Sequence, residues 1–132
     1  MYDIDKCILV TNNDRAADKW CGVMKKVLLV DSFPDVLTTA RDLIYARCIL
    51  LTHPQTSSLK PNQTPYKTIL LYPAADITDK ERSFRDIELI ESAIENFGKW
   101  NAVRKTPVYS ESIADDYKTI DLSMIENVIS RL

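Results

Sequence analysis

Two apolar runs, each followed by a capped helical segment, constrain this chain more than any other feature. Cys7 to Thr11 is the first run and Val27 to Asp31 the second. Each is nearly continuous in Ile, Leu and Val, the pattern of a strand covered on both faces. After the first, Asn13 is placed to cap a short helix with Ala16, Ala17, Trp20 and Met24 inward. After the second, Ser32 and Asp35 have capping-box spacing and Pro34 falls in the first turn. Val36, Leu37, Ala40, Leu43 and Ile44 then recur at helical spacing. Two βα units in succession imply a parallel sheet with right-handed crossovers.

Cys48 to Thr52 and Thr68 to Tyr72 read as two further strands. The last strand's direction stays open. Its connection is long enough for a parallel return but carries no helix, and a wide antiparallel return is equally compatible. The second half reads as helical. Thr78 and Glu81 form another capping box, and Ile87, Ile90, Ala93, Ile94, Phe97 and Trp100 form an apolar stripe. Two shorter helices follow, one with Ile113, Tyr117 and Ile120, the other with Leu122, Ile125, Ile129 and Leu132, the latter capped by Ser123 and Glu126. The expectation is a single α/β domain over residues 1–132. It is a three-layer, Rossmann-like unit with a four-stranded, mostly parallel sheet and a helical C-terminal half.

Between the third and fourth strands lies His53-Pro54-Gln55-Thr56-Ser57-Ser58-Leu59-Lys60-Pro61-Asn62-Gln63-Thr64-Pro65-Tyr66, with the only histidine and no glycine. A connection this long without a helix either binds something or is disordered. Its three prolines (of six in the chain) argue for order, because each fixes φ and restricts its predecessor.

Composition narrows the function classes. A formal net charge of −2 leaves no electrostatic footprint for nucleic acid. No apolar run approaches the roughly 18 residues that span a membrane. The acidic start, Met1-Tyr2-Asp3-Ile4-Asp5, lacks the basic-then-apolar layout of a signal peptide. Cys7, Cys21 and Cys48 are odd in number and lack CxxC spacing, which fits reduced thiols in the cytoplasm.

Strands one and three echo each other, Cys7-Ile8-Leu9-Val10-Thr11-Asn12 against Cys48-Ile49-Leu50-Leu51-Thr52-His53. With strand order 2-1-3 they are parallel neighbours. Their connections then diverge at a topological switch point, where open α/β sheets bind ligands. Asn12, Asn13 and His53 gather there, with Asp31 and Ser32 on the same edge. Cys7 and Cys48 then face the same way as buried core thiols, while Cys21 is more exposed. His53 is a candidate acid or base, since its reference pKa is near neutrality; the plainer alternative is a histidine that only hydrogen-bonds the loop. Lys60 and Lys67, with Ser57, Ser58, Asn62 and Thr64, are candidates to bind an anion. Against this, Asn and Ser are common loop residues because they satisfy their own backbone. No metal-ligand set is recognisable, and neither a G-x-G-x-x-G nor a Walker A pattern occurs. No cofactor is assigned.

Ile8-Leu9-Val10-Thr11-Asn12-Asn13, Asp35-Val36-Leu37, Arg41-Asp42-Leu43-Ile44, Leu50-Leu51-Thr52-His53-Pro54 and Lys60-Pro61-Asn62-Gln63-Thr64-Pro65-Tyr66-Lys67 resemble the GrdX family. Those small proteins are encoded with the glycine, sarcosine and betaine reductase systems of amino-acid-fermenting anaerobes. A glycine often stands in the family's loop where this chain has Ser57 or Ser58. The resemblance implies a cytoplasmic accessory or small-ligand-binding protein whose partners are components of the glycine/betaine reductase complex. It brings no catalytic residues and leaves open whether the protein is an enzyme. Two other readings stand beside it: a small enzyme with His53 as acid/base and Lys60 and Asn62 holding an anionic substrate, and a structural interaction module whose loop is an epitope.

Overall fold

The structure is a computed structural model and describes residues 2–55, 60–74 and 80–132. Among these, strands β1 (Ile8–Thr11), β2 (Lys26–Leu29), β3 (Cys48–Leu50) and β4 (Thr68–Pro73) form one sheet in the order β2-β1-β4-β3. Helices α1 (Asp14–Trp20), α2 (Phe33–Tyr45), α3 (Lys80–Val103) and α4 (Glu111–Ile129) cover it. Leu37, Ala40, Ile90 and Ala93 of α2 and α3 pack with Val10, Ile69 and Leu71 on one face. Trp20 and Ile125 of α1 and α4 pack with Cys7, Leu9 and Leu70 on the other.

The local signals placed the starts of the first two helices as read, although α1 ends at Trp20, short of Met24. Asn13 caps α1, its side chain accepting from the Arg15 amide, and Ser32 caps α2 by accepting from the Asp35 amide, with Pro34 in the first turn. Thr78, the expected cap of α3, lies outside the described residues.

The sheet departs from the mostly parallel, Rossmann-like expectation. Only β1 and β2 pair in parallel; β1 with β4 and β3 with β4 are antiparallel. The order 2-1-3 is also replaced, because β4 inserts between β1 and β3. In the central place Ile69, Leu70 and Leu71 are all fully buried, covered on both faces and paired on both edges. The long loop is thus a wide antiparallel return. Since β3 and β1 both oppose β4, they still run the same way, and Thr11 and Thr52 reach one edge two strands apart. Strand β2 ends the sheet and is only half covered, with Leu29 57% exposed, against the expectation of burial on both faces.

The cysteines follow the topology. Cys7 and Cys48 are buried and free, and burial pushes both thiols above their ordinary pKa. They pack in opposite faces of the sheet, not the same one. Cys21 is exposed.

The far edge of β3 is closed by side chains. Asp86 accepts from the Leu50 amide at 3.0 Å and Arg82 donates to the Leu50 carbonyl at 2.7 Å, so the pair stands in for a fifth strand. At the other end of the molecule, one continuous α4 replaces the two short helices expected. Ser123 and Glu126 are interior to it, and Ser110 is its cap.

Candidate functional site

A cavity of about 500 Å³ opens where β3 ends and β4 begins, between the long loop, α2, α3 and α4. Its apolar lining includes Phe33, Leu37, Ala93, Met124 and Ile125. Among the described residues its charged lining is Lys60, Lys67 and Arg131 against Asp121. The cavity therefore combines an apolar lining with a predominantly cationic set of charged side chains among the described residues.

Lys67 is the unusual member. It is only 9% exposed, yet among the described residues its ammonium has neither a hydrogen bond nor an ion pair. Burial of a lysine without a partner is costly, and desolvation holds this one below its ordinary pKa of 10.5, opposed by the charge of Asp121. The chain carries Lys67 here because its backbone closes the loop: its N–H donates to Asn12 Oδ1 at 2.9 Å and its carbonyl accepts from the Asn12 amide.

Asp121 is the second polar element. Its Oδ2 accepts from Thr68 Oγ1 at 2.6 Å and from Asn13 Nδ2 at 3.0 Å. Thr11 Oγ1 lies 2.7 Å from Thr68 Oγ1 and itself accepts the Asn13 amide proton. With the carboxylate ionised, Thr68 gives its one proton to Asp121, so Thr11 must donate to Thr68. The result is a directed chain, Thr11 to Thr68 to Asp121. Burial raises the Asp121 pKa above 3.8; the Thr68 and Asn13 hydrogen bonds and the Lys67 charge oppose that rise. Oδ1 of Asp121 has no side-chain hydrogen-bond donor among the described residues and is not among the buried atoms left without a partner.

The residues singled out from sequence divide into three groups. His53 and Lys60 line the cavity and are exposed. Nδ1 of His53 accepts the Gln55 amide at 3.1 Å, leaving Nε2 as the nitrogen available to a ligand. The Lys60 ammonium sits 4.7 Å from the Trp100 ring centroid, a cation–π contact. Thr64 also lines the cavity, but its hydroxyl is engaged with the Tyr66 amide and carbonyl, closing a local turn.

Asn12, Asn13 and Asn62 point their side chains into the frame. Asn12 donates to the Pro65 carbonyl at 2.7 Å besides accepting from Lys67. Asn13 is fully buried as the α1 cap and donates to α4 at Asp121 and the Lys118 carbonyl. Asn62 donates to the Arg104 carbonyl at 3.0 Å and, at 3.3 Å, to the Trp100 carbonyl, which also accepts the Arg104 amide proton at the C-terminal end of α3. Ser57 and Ser58 lie outside the described residues. Asn12, Asp31 and Ser32 line a separate groove with Tyr66 and Tyr109, so the expected single cluster with His53 is split in two.

Asp121 escaped the sequence reading because the C-terminal helix was divided there. Read as one helix, Tyr117, Asp121 and Ile125 recur every fourth residue on the covered face, and an acid in that series is the signal. Trp100, read as core, is 39% exposed and packs under Lys60.

Among the described residues no helix is long and apolar enough to cross a membrane, and no cluster of His, Cys, Asp and Glu is arranged to hold a metal ion. No curated protein and no solved structure matches the chain. A family model does match, over residues 8–130, and the chain belongs to the GrdX-like protein family.

Proposed function

We propose that this protein is a small-ligand-binding accessory protein of the glycine, sarcosine and betaine reductase systems, and that its ligand is a small organic anion held in the cavity by Lys67. The observation that carries the reading is a buried lysine that lines the cavity and whose ammonium, among the described residues, has no counter-charge in contact. An anion entering there removes a desolvation penalty the empty protein already bears, so part of the cost of binding is met during folding. Lys60 and Arg131 add exposed positive charge on the same cavity, which favours entry of an anion. The apolar lining favours a carboxylate with a hydrocarbon portion over a bare inorganic ion. Membership of the GrdX-like family supports the association with reductase systems.

Thermal unfolding with acetate, 4-methylpentanoate and inorganic phosphate tests this. A ligand that binds only the native state at 100 times its Kd adds about 2.7 kcal/mol of stability. The expected result is a rise in Tm of several degrees with 4-methylpentanoate, lost in Lys67→Met. No shift with any probe, or an equal shift in Lys67→Met, rejects the reading.

A further inference from the structure

The cavity holds two opposite charges that do not satisfy each other. Lys67 and Asp121 both line it, yet no ion pair joins them. Each lines the cavity and has capacity for a further polar partner. Among the described residues the Lys67 ammonium has no hydrogen bond or ion pair, and Asp121 takes its two side-chain hydrogen bonds on Oδ2, the Thr68 amide also bearing on the carboxylate, with no side-chain donor on Oδ1. Neither the ammonium nitrogen nor Oδ1 is among the buried atoms left without a partner. A ligand that is only an anion answers Lys67 and leaves Asp121 as a like charge beside it. A ligand that is only a cation has the reverse fault. A ligand carrying both charges on neighbouring atoms answers both.

We infer that the ligand is an amino carboxylate with an apolar tail, its carboxylate on Lys67, its ammonium on Asp121 Oδ1, and its tail against Leu37, Ala93, Met124 and Ile125. This rests on the reading of the cavity as a ligand site and narrows it. The support behind Asp121 fits the role. The Thr11–Thr68 hydroxyl chain and Asn13 Nδ2 all bear on Oδ2, which fixes the carboxylate plane and leaves Oδ1 without a side-chain donor. Thr11, Asn13 and Thr68 are thus positioning residues. They are buried at 0%, 0% and 7% exposure and belong to β1, the α1 cap and β4, so the acid is held by the sheet as well as its own helix.

The test compares three probes of one carbon skeleton by calorimetric titration. L-Leucine carries both charges, 4-methylpentanoate the carboxylate alone, and 3-methylbutylamine the ammonium alone. The expected order is leucine tightest by at least tenfold, the acid next, and the amine weakest. Asp121→Asn keeps an acceptor for Thr68 and Asn13 but removes the charge; it is expected to abolish the preference for leucine over the acid. The wild-type comparison stands even where that variant fails to fold. If the acid binds as tightly as leucine, the dipolar inference fails while the anion reading survives. If none of the three binds, both fail.

Discussion

Thr68 donates its hydroxyl proton to Asp121 Oδ2 across 2.6 Å, tying the first residue of the central antiparallel strand to the middle of the C-terminal helix. Behind it stands Thr11, directly opposite Thr68 in the strand register and 2.7 Å away through the hydroxyls. The strand pairing and the polar chain are therefore one object. The position that fixes β4 against β1 also fixes the acid that lines the cavity.

Replacing Thr68 by Val removes that donor while keeping the shape. We expect a loss of about 2 kcal/mol, because a hydrogen bond to a buried charged group is broken and the Thr11 hydroxyl loses its acceptor. The Asp121 pKa, already above 3.8, should rise further. A raised carboxyl binds its proton more tightly in the native state than in the unfolded one, so stability falls as pH rises through the raised value. Chemical denaturation at two pH values checks both: the deficit of Thr68→Val should shrink under acid, where Asp121 is protonated.

Arg47 makes a different prediction. It sits between α2 and β3 at φ +73°, where a side chain is strained and glycine is not. Its amide and carbonyl both hydrogen-bond, so the backbone is committed to this shape. Arg47→Gly should stabilise the fold by about 1 kcal/mol, the relief of left-handed strain exceeding the added chain entropy. Urea midpoints of the two proteins measure it, and a destabilised glycine variant would refute it.

The loop is braced against α3 at two points of unequal weight. Asn62→Ala removes the side-chain donor to the Arg104 carbonyl, while the Trp100 carbonyl keeps the Arg104 amide, and should cost about 1 kcal/mol. Lys60→Ala loses an exposed cation–π contact and should cost about 0.5 kcal/mol. It should also weaken binding of 4-methylpentanoate, which Asn62→Ala should not. Opposite effects on binding would move the anion contact from Lys60 to Asn62.

Thiol labelling tests the placement of the sheet. Cys21 should react with iodoacetamide in the native protein, while Cys7 and Cys48 should react only on unfolding, since both are buried and carry thiols raised in pKa. Mass spectrometry after a short exposure reads this directly.

The parts of the fold that were legible in the sequence are those set by neighbours along the chain. Asn13, Ser32 and Pro34 start their helices through bonds or dihedral limits spanning two or three residues. The stripe from Ile87 to Phe97 buries as its spacing requires. What escaped depends on distant partners. β3 and β4 are both apolar runs, and nothing local says that β4 takes the central place. Trp100 lies in phase with the core stripe but near the end of α3, where the loop covers it with Lys60 instead of the sheet. Of the site, Lys60 and Lys67 were visible as cations on a long loop, but their difference was not. Lys60 is exposed over a ring, and Lys67 is buried without a side-chain partner among the described residues. Asp121 required the helix to be read as continuous.

The central claim is that Lys67 waits for an anion, and its own titration is the most direct measurement. The side-chain ε-methylene resonance of Lys67, assigned by its absence in Lys67→Met, reports the charge on the amine. In the free protein it should titrate below 10.5, because burial penalises the ammonium. Over the window between that lowered value and 10.5 the unfolded state holds more protons, so this residue's contribution to stability should rise with pH. Saturating 4-methylpentanoate should move the midpoint upward, since an anion in contact favours the charged form. The same resonance titrating at 10.5 in the free protein, or unmoved by the carboxylate, would contradict the account.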